Sequence, residues 1–143
     1  MRNEFGTVAT QDLFATLLGD KLGGGSARQV YDCALLPRYV VKVEDVAGSF
    51  QNILESEIWQ EVQFTEHAKW FAPVHSISIT GTVLIMAKTK PLKDFPRGFK
   101  VPAYMTDLKP ENFGRYKGRI VAHDYGLTLL MSKGLTKRMR PAD

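Results

Sequence analysis

Three prolines, Pro91, Pro96 and Pro102, punctuate the middle of the chain. Each removes a backbone donor and restricts the residue before it, so this stretch stays extended or irregular and carries no long helix or central strand. Regular structure must come before it and after it, and the hydrophobic pattern says of what kind. Thr10 is placed to cap a first helix in which Leu13/Leu17 and Phe14/Leu18 pair at i,i+4, with Gly19 just past its end. A glycine-rich stretch, Gly23-Gly24-Gly25-Ser26-Ala27-Arg28, follows. Val30–Ala34 and Tyr39–Val43 read as strands around Leu36-Pro37-Arg38. Ser49 to about Phe64 reads as an amphipathic helix, with Ile53, Leu54, Ile58 and Val62 on one broad face. Val74–Ile79 and Thr82–Met86 read as a hairpin around Thr80-Gly81, and Phe113–Arg115 and Arg119–Ala122 as a second around Lys117-Gly118. From Leu127 on the pattern is weakly helical. Antiparallel strands with one embedded helix predict an α+β fold.

The chain has 143 residues, enough for one domain with its own core. Its single cysteine, Cys33, excludes an internal disulfide framework and a Cys-rich zinc site, and its strand position suits a small core residue. His67 and His75 have no partners at metal-ligand spacing. Val83–Ala87, the longest strongly apolar run, is too short to span a bilayer. Leu13–Leu18 lacks the flanks of a signal peptide, so a soluble, cytoplasmic protein is expected, without a membrane partner. Nineteen Lys and Arg against fifteen Asp and Glu give a net charge of +4, much of it near the end at Lys133, Lys137, Arg138 and Arg140. That basic tail has no interleaved aromatics on which bases would stack, so nucleic acid is not the expected partner.

Chemistry concentrates at a few places. Val40-Val41-Lys42-Val43 sets a lysine inside an apolar strand, where an ammonium needs a partner. Glu55 and Glu57 on the following helix are the candidates; two residues apart, they cannot share a face. The glycines at 23 and 25 permit close approach of backbone to phosphate. Asp107-Leu108-Lys109-Pro110-Glu111-Asn112, followed by Asp124-Tyr125-Gly126, holds the groups that phosphoryl transfer requires. Asp107 suits orientation of an attacking hydroxyl and Lys109 the transferred group. Asn112 and Asp124 suit oxygen ligation of Mg²⁺.

In these motifs the sequence resembles the protein kinase fold, in its N-terminal lobe and catalytic-loop region, from about Asp20 to Gly126. The Gly-rich loop is matched by Gly23-x-Gly25-x-x-Arg28-x-Val30, the strand lysine by Val40-Val41-Lys42, and its helix partner best by Glu55. Met86, Ala87 and Lys88 fall where the hinge binds the adenine edge. Asp107 to Asn112 match the catalytic loop, and Asp124-Tyr125-Gly126 the magnesium-binding Asp-Phe-Gly. The resemblance implies a kinase N-lobe-like antiparallel sheet with one αC-like helix, a catalytic-loop hairpin and a short tail. It divides the chain into an N-terminal helical extension (1–19), a minimal kinase-like domain (20–126) and a basic tail (127–143). It implies ATP and Mg²⁺ as cofactors, with transfer of the γ-phosphoryl group to Ser or Thr of a partner protein or of the chain itself. Residues 101–126 also resemble short kinase-like proteins of tailed bacteriophages, which would make the partner a host protein and the location the host cytoplasm.

The departures shape the alternative. Arg28 replaces the third loop glycine and would touch phosphate or block it. Val40 replaces an alanine, and Met105-Thr106 replace the His-Arg before the catalytic Asp. Only fifteen residues separate Pro91 from Asp107, and seventeen follow Gly126, too few for the family's C-lobe helices. The missing lobe implies a bared apolar surface for a partner or a second copy. The alternative function is a pseudokinase-type module that binds and modulates a host protein.

Overall fold

The computed structural model describes residues 4–25, 27–45 and 48–143, with side chains from residue 11 onward. Ser26 and the side chain of Thr10 lie outside the described residues. The fold is α+β. An N-terminal helix α1 (Glu4–Leu17) leads into strand β1 (Leu18–Gly24). β2 (Arg28–Cys33) and β3 (Tyr39–Glu44) precede helix α2 (Gln51–Val62); β4 (Val74–Ile77) and β5 (Val83–Ala87) follow it. These strands form one antiparallel sheet in the order β1-β2-β3-β5-β4. Lys42 stands opposite Val30 on one side and Leu84 on the other, in the middle of the sheet.

Beyond β5 the proline-punctuated segment contributes only two short strands, β6 (Lys90–Pro91) and β7 (Lys100–Pro102). β8 (Phe113–Tyr116) and β9 (Arg119–Ala122) form a hairpin. Lys117 and Gly118 both take positive φ at its turn (48° and 80°), the mirror-image turn whose twist suits a two-residue hairpin. β6 pairs with β8 to complete a three-stranded sheet. The two larger sheets are joined where Phe71 bridges Ala122 and the Ala72 N–H donates to the Ala122 carbonyl at 2.8 Å. There Phe71, Tyr104 and Tyr125 pack together in the core, Tyr125 edge-on to Phe71.

Two readings of the chain are corrected. Thr10 does not open the first helix, which begins at Glu4, and the glycine-rich stretch is extended through Gly24 rather than a loop from Gly23. Pairing with β2 supplies the ladder bonds that the local glycine content does not predict. The C-terminal segment is tied to the rest of the fold at two places. Its short helix α3 (Leu130–Lys133) buries Leu130, and β10 (Met139–Pro141) pairs with β7. Ala142 is buried as well, and its N–H donates to the Phe99 carbonyl at 3.0 Å. Lys133, Lys137, Arg138 and Arg140 all stay exposed, so the docking rests on Leu130, Ala142 and the strand pairing, which charge composition does not reveal. Among the described residues, no helix is long and apolar enough to cross a membrane.

Candidate functional site

Strand alternation builds the first wall. Arg28 and Val30 on β2, and Val40 and Lys42 on β3, lie at alternate positions, so their side chains share one sheet face. That face lines a cavity of about 750 Å³, whose lining also includes Gly23, Gly25, Asp107, Asn112 and Asp124. The volume is that of a small-molecule site. A methyl group added at Gly23 or Gly25 would meet nothing within 4 Å among the described residues, so both glycines leave space beside the cavity.

Helix α2 supplies the charges that make the buried cations tolerable. Asn52 and Glu55 are one turn apart and present to the same side. Lys42 is 3 % exposed and donates from Nζ to Glu55 Oε1 at 2.9 Å and to the His123 carbonyl. Arg28, 6 % exposed, donates from Nη1 and Nη2 to the two oxygens of Glu55 at 2.8 and 2.7 Å. It also reaches Asn52 Oδ1 and Asp124 Oδ1, each at 2.9 Å. Glu55 is wholly buried and accepts a further bond from the Tyr125 N–H at 2.8 Å. Glu57 is exposed, so Glu55 is the partner of Lys42.

These contacts set the protonation states. Burial alone would raise the Glu55 carboxyl, but Lys42 and Arg28 beside it hold it down at about 2. Burial pushes the Lys42 ammonium below its ordinary value, opposed by Glu55. Burial works against the Arg28 guanidinium too, yet Glu55 and Asp124 carry it above its ordinary value. Two cations and two carboxylates thus meet in one buried cluster.

The opposite wall is a backbone arrangement. Asp107 sits at φ 51°, in the left-handed region, and lines the cavity. Asn112 holds it there, its Nδ2 donating to the Asp107 carbonyl at 2.8 Å and to Oδ2 at 3.0 Å. A non-glycine residue kept in this region by specific bonds is a common feature of functional sites. The β8–β9 hairpin returns Asp124 beside Asn112, where the Asp124 N–H donates to the Asn112 carbonyl at 3.2 Å. Because Nδ2 of Asn112 is committed to Asp107, its Oδ1 remains available as a ligand. The Asp124 side chain is 48 % exposed at the cavity. One neutral and one anionic oxygen suit Mg²⁺, which characteristically takes one or two protein ligands and completes its shell with phosphate and water. Among the described residues no group of three or more His, Cys, Asp or Glu side chains is placed to hold a metal by itself.

His123 ties three segments together. Its Nε2 donates to the Glu111 carbonyl at 2.6 Å, which leaves Nδ1 to accept from the Thr89 hydroxyl at 2.7 Å. Burial, and then the Lys42 charge, keep this imidazole below its ordinary value and neutral. Tyr125 is buried with its hydroxyl donating to the Ala72 carbonyl at 2.9 Å, and burial raises it well above the ordinary phenol.

The hinge expectation needs correcting. Met86 is wholly buried in the core and does not line the cavity. The N–H groups of Ala87 and Lys88 already donate to the Pro73 and Arg38 carbonyls, at 2.8 and 2.9 Å, because β5 is flanked on both sides. Ala87 and Lys88 do line the cavity, but those donors are spent. Lys109 is also displaced from its expected place: it is outside the cavity lining, exposed, with Nζ 3.4 Å from Asp107 Oδ1. Arg28 neither projects at the cavity as a free phosphate contact nor stands apart as a plug; its fork is taken up by Glu55, Asn52 and Asp124. Sequence reasoning missed Asn52 and this role of Arg28. The signals were present: Asn52 precedes Glu55 by three residues, and Arg28 alternates with Val30 on the face of Lys42. Comparison with known proteins adds no assignment: no family model matches the chain, and no curated protein does.

Proposed function

We propose that this cavity binds MgATP and that the chain is a minimal protein kinase-like phosphotransferase acting on a Ser or Thr hydroxyl of a partner protein or of itself. The observation that supports this most is the meeting, around one cavity, of Gly23, Gly25, Lys42, Asp107, Asn112 and Asp124 from four separate stretches of chain. The open space at Gly23 and Gly25 suits a phosphate chain, and Lys42 brings a fixed cation to it. Mg²⁺ bound at Asn112 and Asp124 would neutralise phosphate charge. Asp107 would accept the proton of the attacking hydroxyl, whose oxygen bonds to the γ-phosphorus as the bond to the ADP oxygen breaks. The test is transfer of label from γ-labelled ATP with Mg²⁺. Asp107→Asn should abolish it, and label transfer equal in the wild-type and variant chains would overturn the reading.

A second reading has its own support. Leu127, Met131, Leu135 and Met139 are exposed on the C-terminal segment. As a pseudokinase-type module the chain would use this surface to bind a host protein, or a second copy, with nucleotide as a structural ligand. MgATP at 100 times its Kd raises stability by about 2.7 kcal/mol. A thermal shift of that size without any label transfer would favour this reading over the first.

A further inference from the structure

The Arg28–Asp124 contact has a consequence for the cation. Asp124 is the only member of the buried charge cluster that is open to solvent, and Arg28 is its one side-chain partner among the described residues. Arg28 stands where a cation bound at Asp124 would meet a fixed positive charge, its Nη2 only 2.9 Å from Oδ1. Glu55 does not depend on Arg28 alone, since Lys42 and the Tyr125 N–H also bond to it. The fork can therefore let go of Asp124 while the rest of the cluster holds.

We infer that Arg28 competes with the divalent cation for Asp124, so that the free chain takes up the cation weakly and binds it well only when phosphate oxygens draw the guanidinium away. This rests on the reading of Asn112 and Asp124 as the cation site. Electrostatics gives the direction. A divalent ion beside Asp124 must either displace the guanidinium or tolerate its charge at a few ångströms, and both weaken binding. A nucleotide's phosphates change the balance, because the Nη2–H that Asp124 holds suits a phosphate oxygen as well as a carboxylate oxygen, while the fork stays on Glu55. Arg28 is on this view a positioning residue: in the free chain it orients Asp124, and in the loaded chain that N–H turns to the anion.

The experiment uses Mn²⁺ alone, titrated into the full chain without nucleotide and followed by electron paramagnetic resonance. Arg28→Gln should bind Mn²⁺ about tenfold tighter than the wild-type chain, and adding Asp124→Asn should remove the gain. No gain in a variant that still melts cooperatively overturns the inference, as does a gain that survives Asp124→Asn. If Arg28→Gln does not fold, Arg28→Lys serves, because one ammonium cannot span Glu55 and Asp124; it should show a smaller gain of the same sign. If neither variant folds, the wild-type Arg28 Nε–H resonance decides: Mg²⁺ binding that leaves it unmoved overturns the inference. ATP binding without metal is measured separately. ATP binding with unchanged Mn²⁺ affinity in the Arg28 variant defeats the competition and leaves the nucleotide site standing. A Mn²⁺ gain without ATP binding does the reverse.

Discussion

The guanidinium of Arg28 lies fork to fork on the carboxylate of Glu55, with N–O distances of 2.8 and 2.7 Å and with Lys42 sharing one of the same oxygens at 2.9 Å. One buried carboxylate thus bonds two cations from adjacent strands, and Asp124, on the other side of Arg28, supplies the second negative charge. Such a cluster is weak evidence for stability as a whole, but removal of its shared partner is severe, because it leaves uncompensated buried charge.

Glu55→Gln should therefore destabilise the chain by about 3 kcal/mol or more. Glu57→Gln, on the exposed side of α2, should change stability by less than about 0.5 kcal/mol. Urea denaturation of both variants checks this, and equal midpoints would refute the assignment of Glu55.

Acid should unfold the protein through the same carboxylate. The Glu55 carboxyl is held at about 2 against an ordinary 4.5, so its contribution is complete above about pH 4.5 and is lost as pH falls toward 2. The loss is on the order of 3 kcal/mol. Urea midpoints between pH 6 and pH 2.5 should fall steeply in the wild-type chain and more shallowly in Glu55→Gln.

Gly23→Ala and Gly25→Ala separate folding from binding. Neither methyl meets an atom of the described residues within 4 Å, and neither glycine has a positive φ, so stability should hold or rise slightly, by under about 1 kcal/mol. If the proposed function holds, ATP affinity, read by calorimetry, should nevertheless fall about tenfold, because the methyl would stand where phosphate is to approach backbone. Unchanged affinity would place phosphate elsewhere.

Tyr125→Phe removes the hydroxyl that satisfies the buried Ala72 carbonyl. The expected loss is about 1–2 kcal/mol, with nucleotide affinity unchanged, since Tyr125 lines the cavity but Ala72, which its hydroxyl meets, does not. A thermal melt with and without MgATP reads both.

Truncation after Gly126 should fail to give a cooperatively folded chain. It removes buried Leu130 and Ala142, the β10 strand, and the Leu129 N–H bond to the Tyr104 carbonyl at 2.9 Å. A truncated chain with a sharp near-wild-type melt would contradict the docking of the C-terminal segment.

Local chemistry made much of this legible. Alternating apolar residues placed β2, β3 and the β8–β9 hairpin, because period and turn residues are properties of a few neighbours. The lysine at position 42 announced a buried partner for the same reason: an ammonium among valines is costly wherever the strand goes. By itself, then, the sequence determined the α+β character and the central strands and helix. Only the tertiary structure decided which of them meet. It chose Glu55 over Glu57, because only Glu55 points from α2 under the sheet. It turned Arg28 from a loop substitution into the link between Glu55 and Asp124, a pairing across 96 residues that no local pattern encodes. It also anchored the basic C-terminal segment on β7, since strand pairing depends on a partner edge distant in the chain.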